Sequence, residues 1–328
     1  MTSSKLISSK FDDFFFIKFP IWIPLTYYFF INSFPAYSLY ALIFLLLIGE
    51  IHFGITFAFF FDKNYTNLFR QNKYIYVFWP ITLIFFVFFF GYFFSLSAVL
   101  FLILLFNFYH VNRQSVGIFK IYIKNRNSYL NDFFIYSIYF FSFLLCFFGI
   151  LKFIFISELY FKYESLIILY TIVAILIATS TLSILMFIRK EFNLDNLLNF
   201  ATGVGMFLPI FFCDRIIHIF AMGVAMHYVQ YIYITKSIMN RKYKTLSNLS
   251  EKNLFKFVSP VILILYLLIY AILMIYFSNL NLDYKGEKFG IYIVPIIFQL
   301  LHFYFDMFFW RFSNEHTQKN LAPYLFIK

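Results

Sequence analysis

The amino-acid sequence predicts an all-α fold, a polytopic transmembrane helical bundle of about ten spans. Of the 328 residues, 62% are hydrophobic and only 12% are charged, whereas soluble domains of this size carry about a quarter charged residues. The chain also contains 55 Phe and 27 Tyr, more apolar surface than a soluble core can hide. These observations predict a single integral membrane domain, residues 1–328, that uses nearly the whole chain.

Ten apolar stretches are long enough to count as spans, because about 20 helical residues cross a hydrocarbon core about 30 Å thick. The seventh is short and contains Gly203, Gly205 and Pro209, so it is expected to be broken or tilted. The boundary between the seventh and eighth spans is placed at Asp214-Arg215. The ten predicted spans are residues 14–31, 37–61, 74–94, 97–119, 132–157, 164–188, 198–213, 215–237, 257–279 and 290–312.

Basic residues alternate between the two sides of this topology, which places both termini in the cytoplasm by the positive-inside rule. The abundance of Lys, Ile, Asn and Phe is typical of AT-rich genomes and favours a bacterial inner (cytoplasmic) membrane. The net charge of +11 lies in short loops and forms no recognition stripe, so nucleic-acid binding is not expected. The longest polar stretch, 239–256, is predicted to be a basic cytoplasmic loop that lies against anionic membrane lipids. The basic connections hold Lys5, Lys10 and Lys18; Lys63, Arg70 and Lys73; Lys120, Lys124 and Arg126; Arg189 and Lys190; and Lys236, Arg241, Lys242, Lys244, Lys252 and Lys256.

Four histidines share one predicted depth in the membrane. Each lies in an even-numbered span, ten residues from the cytoplasmic end of its helix, or about 15 Å from the inner boundary. Ionisable residues inside a membrane are costly and usually face the bundle interior, and neutral imidazole is a common ligand for iron, zinc and copper. We therefore predict one buried metal site. The intervals run from His52 to Asp62, His110 to Lys120, His227 to Ser237 and His302 to Phe312.

Polar neighbours of these histidines are candidates for orienting them or for catalysis. Asp306 lies one turn after His302, where it could accept a ring N–H or bind the metal itself. Gln114 and Gln230 follow His110 and His227 at four and three residues, with helix–helix hydrogen bonding as the alternative. Glu50 is a candidate ligand, general base or protonated acid between helices. Arg113 could pair with Asp306 or Glu50, or contact a polar headgroup.

The remaining reactive residue types are expected to be structural. His218 is predicted near the outer surface and His316 in the cytoplasmic tail. Cys146 and Cys213 lie in apolar runs and are predicted to be inert buried thiols. Trp310 and Arg311 are predicted to form an interfacial anchor.

The segments GEIHFG (49–54), YHVNRQ (109–114) and LHFYFD (301–306) resemble motifs of the Brp/Blh family of bacterial β-carotene 15,15'-dioxygenases. Members of that family are membrane enzymes that hold non-haem iron through histidines and cleave a polyene with O₂ to give retinal. The resemblance implies that His52 matches the first motif histidine, and that His302 and Asp306 match the H-x-x-x-D element. His110 matches the first histidine of an H-S-x-x-H segment, whose second histidine is Gln114 here. Span 1 has no histidine to match the family's H-G-x-x-D element.

The leading hypothesis is an intramembrane non-haem Fe(II) oxygenase that takes O₂ and an apolar lipid or isoprenoid/carotenoid-like substrate from the bilayer. Zinc is an alternative metal. A second hypothesis is a b-type haem and quinone electron-transfer protein, in which two of the histidines ligate one haem. A third is a proton-coupled transporter that uses Asp306, Glu50 and the histidines, and a fourth is a scaffold subunit. No Gly-rich phosphate loop, Walker motif, G-x-S-x-G or H-E-x-x-H occurs.

Overall fold

The computed structural model describes residues 7–93, 96–123, 129–190, 193–247, 260–279 and 293–326. Within those ranges the regular elements are all helices, with no strand, which confirms the all-α prediction. The predicted loop between spans nine and ten, and residues 248–256 of the basic loop, lie outside the described residues. The helices are α1 (Lys10–Asp12), α2 (Trp22–Ser33), α3 (Ser38–Phe57), α4 (Lys63–Gln71), α5 (Trp79–Phe93), α6 (Leu96–Tyr122), α7 (Tyr129–Phe153), α8 (Glu158–Ile188), α9 (Leu194–Gly205), α10 (Ile216–Ser247), α11 (Pro260–Asn279), α12 (Ile293–Phe309) and α13 (Glu315–Asn320).

Several of these helices suit a membrane. In the part of the chain that is described, five helical segments are long and apolar enough to cross a membrane. The number rises to six if a bent pair of helices near the N-terminus is counted as one span. They correspond to the first, second, third, fifth, sixth and ninth predicted spans. The other four predicted spans coincide with α6, with α9 and a following 3₁₀ turn, with the first part of α10, and with the 17-residue helix α12. The five segments are Pro35–Phe61, Tyr74–Phe93, Tyr129–Phe153, Glu158–Ile188 and Val261–Ser278.

Two predicted spans are interrupted, each at a proline. The first predicted span consists of a π-helix, Asp13–Lys18, followed by α2. The helical segments Lys10–Lys18 and Trp22–Ser33 meet at a bend of 64°. Pro20 lies at the break, where its ring disfavours helical geometry for Phe19 and removes a backbone donor. In the seventh, α9 ends at Gly205 and a 3₁₀ turn containing Pro209 follows. The expected break in that span is therefore present.

The basic stretch 239–256 is partly helical rather than a loop. Helix α10 continues to Ser247, so residues 239–247 form its last turns. Arg, Lys and Met are good helix formers, and nothing in this stretch forces a stop. The prediction of a loop was wrong for these residues because polarity was treated as a sign of irregular structure.

The chain divides into two compact units. Unit 1 comprises Met1–Ser9, Ile43–Asn107 and Tyr231–Lys328, and unit 2 comprises Lys10–Leu42 and Phe108–Gln230. Each unit is held together by buried polar contacts as well as by apolar packing.

In unit 1, Arg241 ties both ends of the chain to α10. Its guanidinium donates to the carbonyl oxygens of Ile7 and Tyr324, each at 2.6 Å, and to that of Leu325 at 2.8 Å. Next to it on α10, Lys242 forms a buried ion pair with Asp62, the residue that caps α4. A buried pair of this kind costs desolvation, so its main effect is to specify which segments meet.

In unit 2, ion pairs hold the π-helix and the ends of α7 and α8. Lys18 Nζ lies 2.9 Å from Asp195 Oδ1 and 4.8 Å from the centre of the Tyr122 ring. The Tyr122 hydroxyl donates to Oδ2 of the fully buried Asp13 at 2.9 Å. Lys152, near the end of α7, pairs with Glu164 of α8 at 2.9 Å.

Candidate metal centre

Unit 1 brings two of the predicted histidines into contact. His52 on α3 and His302 on α12 are both fully buried, and their ring centroids lie 4.4 Å apart with an interplanar angle of 69°. The two residues meet because each lies on the buried face of its helix. On α12 that face repeats at intervals of three and four residues, as expected of a helix with one buried side.

His302 is embedded in a network of side-chain hydrogen bonds. Its Nδ1 lies 2.8 Å from the hydroxyl oxygen of Thr56, which in turn donates to Asp306 Oδ1 at 2.9 Å. The Tyr231 hydroxyl lies 2.6 Å from both Thr56 Oγ1 and Asp306 Oδ1. Trp310 Nε1 donates to that hydroxyl at 2.9 Å. Every member of this network except Trp310 is buried.

Asp306 lies next to His302, as the four-residue spacing predicts. Its Oδ2 is 3.6 Å from His302 Nε2, which is beyond hydrogen-bonding distance, while its Oδ1 accepts from Thr56 and Tyr231. Asp306 therefore bonds two hydroxyl groups through Oδ1, while its Oδ2 lies too far from His302 Nε2 for a hydrogen bond.

Unit 2 brings together the other two predicted histidines. His110 on α6 and His227 on α10 are 8% and 1% exposed, and their ring centroids are 5.4 Å apart at 85°. The backbone of α10 approaches its neighbour closely at this level. A Cβ atom placed on Gly223 would lie 1.9 Å from the Met206 carbonyl oxygen, so only glycine permits this packing.

The other predicted site residues have different environments. Gln230 is buried, but its amide donates to the Ile17 carbonyl oxygen at the end of the π-helix. Gln114 is half-buried on α6. Arg113 is exposed, and its guanidinium lies 3.5 Å from the Tyr109 hydroxyl. Glu50 is half-buried on α3, and no cation among the described residues pairs with it.

Sequence reasoning missed three members of the network around His302. Thr56, Tyr231 and Trp310 were not predicted to take part, and Trp310 was interpreted as an interfacial anchor. One signal was available: Thr56 follows His52 by four residues, and Trp310 follows Asp306 by four, the spacing that places side chains on one helix face. Tyr231 on α10 likewise follows the predicted ligand His227 by four residues, but that spacing does not predict its contacts with Thr56 and Asp306 on two other helices.

The histidines predicted to be structural have other partners. His218 Nδ1 lies 2.8 Å from the Tyr27 hydroxyl. His316 packs edge-on against the buried Tyr65 ring at 4.7 Å. Cys146 and Cys213 are buried free thiols, as predicted.

The spacing within each histidine pair is close to that expected for two ligands of a single ion. With a metal–nitrogen bond of about 2.1 Å, the ion lies about 3.2 Å from each ring centre, so adjacent ligands at 90–110° have centres about 4.6–5.2 Å apart. The observed values of 4.4 and 5.4 Å lie on either side of that range. Among the described residues, buried groups that could hold a metal ion are present, with members His52, His110, His227, His302 and Asp306.

The fold and these side chains define a class: a helical protein with membrane-spanning character and buried histidine groups that could bind a metal ion. Comparison with known proteins adds no narrower assignment. No protein-family model, no curated protein and no solved structure matches the chain.

Proposed function

We propose that this protein is an intramembrane non-haem iron oxygenase that acts on an apolar lipid or an isoprenoid/carotenoid-like substrate. His52, His110, His227 and His302 would hold Fe(II). The observation that carries the proposal is the presence of two buried imidazole pairs, each near ligand spacing, in a helical chain with several helices long and apolar enough to cross a membrane. The resemblance of three motif segments to the Brp/Blh dioxygenases favours iron over zinc and an apolar substrate over a polar one.

The spacing within the pairs favours non-haem iron over a b-type haem. Two axial histidines of one haem lie on opposite sides of the iron, which places their ring centres about 6.3 Å apart with the macrocycle between them. The centroids within each pair are 4.4 and 5.4 Å apart, and the rings meet at 69° and 85°. Both spacings are shorter than that of two axial ligands and closer to that of adjacent ligands on a bare ion.

Aromatic residues around His302 exclude water from the site. Phe53 and Phe303 lie 5.1 and 5.6 Å from its ring, and Phe305 is buried on the same helix. A water-free site strengthens the interaction of an ion with its ligands and protects reactive species from hydrolysis. When bound, iron would supply the redox chemistry by which O₂ reacts with a carbon skeleton. The protein would contribute ligands, orientation and an apolar environment.

We also propose the predicted topology for this protein: a single domain of ten spans with both termini in the cytoplasm, in a bacterial inner membrane. The exposed large hydrophobic side chains on α3, α5, α8 and α11 support contact with lipid. In that setting, an apolar substrate reaches the protein from the bilayer.

Metal analysis of protein purified from membranes tests the proposal. We expect about one iron per chain and no Soret band. His302→Ala removes a ligand from the unit 1 pair, and His110→Ala removes one from the unit 2 pair. Each variant is expected to lower bound iron at least tenfold, since each removes one of the four proposed ligands. His218→Ala is the matched control, because this histidine bonds Tyr27 instead.

Three results would contradict the proposal. The first is a sharp Soret band. The second is iron content in His302→Ala and His110→Ala equal to that of His218→Ala. The third is two ions per chain with only one lost in each variant, which would mean that the two pairs bind separate ions.

A further inference from the structure

Counting protons limits the directions of the hydrogen bonds among the hydroxyl groups around His302. An ionised carboxylate only accepts, and each hydroxyl has one proton to donate. Thr56 lies within hydrogen-bonding distance of Asp306 Oδ1, the Tyr231 hydroxyl and His302 Nδ1. If its proton goes to Asp306, or to Tyr231, the bond to His302 must use a hydrogen on Nδ1. The neutral ring then has its lone pair on Nε2.

The same counting applies to the hydrogen bonds of the Tyr231 hydroxyl. The indole of Trp310 can only donate, so the Tyr231 oxygen accepts from it at 2.9 Å. The phenolic proton is then available for Asp306 Oδ1, 2.6 Å away. Two hydroxyl groups thus engage Oδ1, and the other oxygen, Oδ2, is the one beside the histidine.

The two atoms oriented by these contacts are neighbours. Asp306 Oδ2 and His302 Nε2 are 3.6 Å apart. Two ligand atoms about 2.1 Å from one ion, at an angle of about 110–120°, are separated by about 3.4–3.6 Å. The distance between Asp306 Oδ2 and His302 Nε2 is thus too long for a hydrogen bond, but it matches the distance between two ligand atoms bound to one metal ion.

We propose that Thr56 and Tyr231 are positioning residues that hold His302 Nε2 and Asp306 Oδ2 as adjacent donor atoms for a metal ion, with Asp306 as a carboxylate ligand beside the histidines. The inference rests on the proposed function for the presence of a metal, but it concerns this unit's own side chains. Partners of this kind fix the orientation and tautomer of a ligand histidine, and losing one typically lowers metal affinity 10–100-fold.

Co(II) binding to the full-length protein in detergent tests this role without relying on activity. Thr56→Val keeps the shape and removes the hydroxyl, whereas Thr56→Ser keeps the hydroxyl. Tyr231→Phe removes the phenolic oxygen. We expect Thr56→Val and Tyr231→Phe each to weaken Co(II) affinity about tenfold or more and to shift the visible Co(II) spectrum. Thr56→Ser should stay within about twofold of the unmodified protein.

Two matched controls exist in the same unit. Thr235 is fully buried and Tyr270 is 7% exposed, and neither hydroxyl has a hydrogen-bond partner among the described residues. Thr235→Val and Tyr270→Phe remove a buried hydroxyl without touching the network. Both are expected to bind Co(II) as the unmodified protein does, with thermal unfolding confirming that all variants fold.

The outcomes separate the inference from the proposed function. If the unmodified protein binds one Co(II) and Thr56→Val matches Thr235→Val, the positioning role is wrong and the metal site stands. Equal loss of affinity in Thr56→Val and Thr56→Ser would also overturn it, because methyl packing rather than the hydroxyl would then matter. If the unmodified protein binds no Co(II) or iron, the proposed function fails and the inference fails with it.

Discussion

The two histidine pairs are aligned by different means. In unit 1, side-chain hydrogen bonds act directly on the ring of His302 and on its neighbour Asp306. In unit 2, two polar contacts near the pair join a side chain to a backbone carbonyl oxygen, and Ser115 Oγ also lies 3.3 Å from Met206 Sδ. Gln230 bonds the Ile17 carbonyl oxygen, and Ser115 bonds the Val111 carbonyl oxygen within its own helix.

The difference indicates where each pair is vulnerable. A ring held by hydroxyl groups depends on single oxygen atoms, whereas a pair held by helix packing depends on how closely two backbones approach. Unit 1 should therefore tolerate changes in helix packing better than unit 2 does, and it should be more sensitive to the loss of a hydroxyl. Two changes in unit 2 test its side of this comparison, and a third, in unit 1, separates acid sensitivity of folding from that of the pairs; they follow in order of the size of the expected effect.

Gly223→Ala should have the largest effect. The added Cβ would lie 1.9 Å from the backbone oxygen of Met206, and no side-chain rotation can relieve a clash with backbone. Overpacking of this kind costs about 3 kcal/mol or more. We expect a large fall in the thermal unfolding temperature in detergent, together with loss of metal binding.

Gly117→Ala is the matched control, because a Cβ on this helical glycine of the same unit meets nothing within 4 Å. In an exposed or open helical position, alanine stabilises by up to about 1 kcal/mol. Equal stability of the two variants would refute the view that close backbone approach sets the geometry of unit 2.

Gln230→Leu should have an intermediate effect. It removes the amide that bonds the Ile17 carbonyl oxygen and leaves that buried oxygen without this donor. The expected loss is about 1–3 kcal/mol in the free energy of unfolding. Gln318→Leu is the control, since its bond to the Phe312 carbonyl is exposed and water can replace it. Chemical denaturation of both variants measures the difference, and equal values would mean that the tie to the π-helix does not stabilise unit 2.

His316→Gln should have the smallest effect, and it separates the pH dependence of folding from that of metal binding. Burial lowers the pKa of His316, nearby Asp62 raises it and Lys242 lowers it, with a net shift downward. The neutral form is therefore favoured in the folded protein. Its contribution is present above the ordinary pKa of about 6.5 and is lost as pH falls toward the folded value.

The unmodified protein should thus lose more thermal stability between pH 7.5 and 5 than His316→Gln does, by less than about 1 kcal/mol because the side chain is only half-buried. Identical pH profiles for the two proteins would remove His316 as a source of acid sensitivity. Any remaining acid-induced loss of metal could then be assigned to the histidine pairs.

Much of the fold was predictable because membrane helices obey local rules. Composition determined the all-α class, Gly203, Gly205 and Pro209 marked the break in the seventh span, and the spacing of His302 and Asp306 placed them on one helix face; the bend at Pro20 in the first span was not predicted. The end of α10 was less predictable, because a polar basic segment can continue a helix as readily as it can form a loop.

By itself, the sequence determined which ionisable side chains are buried within apolar helices, since four histidines and an aspartate in such helices have few other places to go. Only the tertiary structure decided what those side chains contact. Thr56 meets Tyr231 and Asp306 across 175 and 250 residues of chain, and Gln230 turns to Ile17 rather than to a histidine. Hydrogen bonds between helices depend on rotation and register to within an ångström, and helical periodicity alone does not specify either.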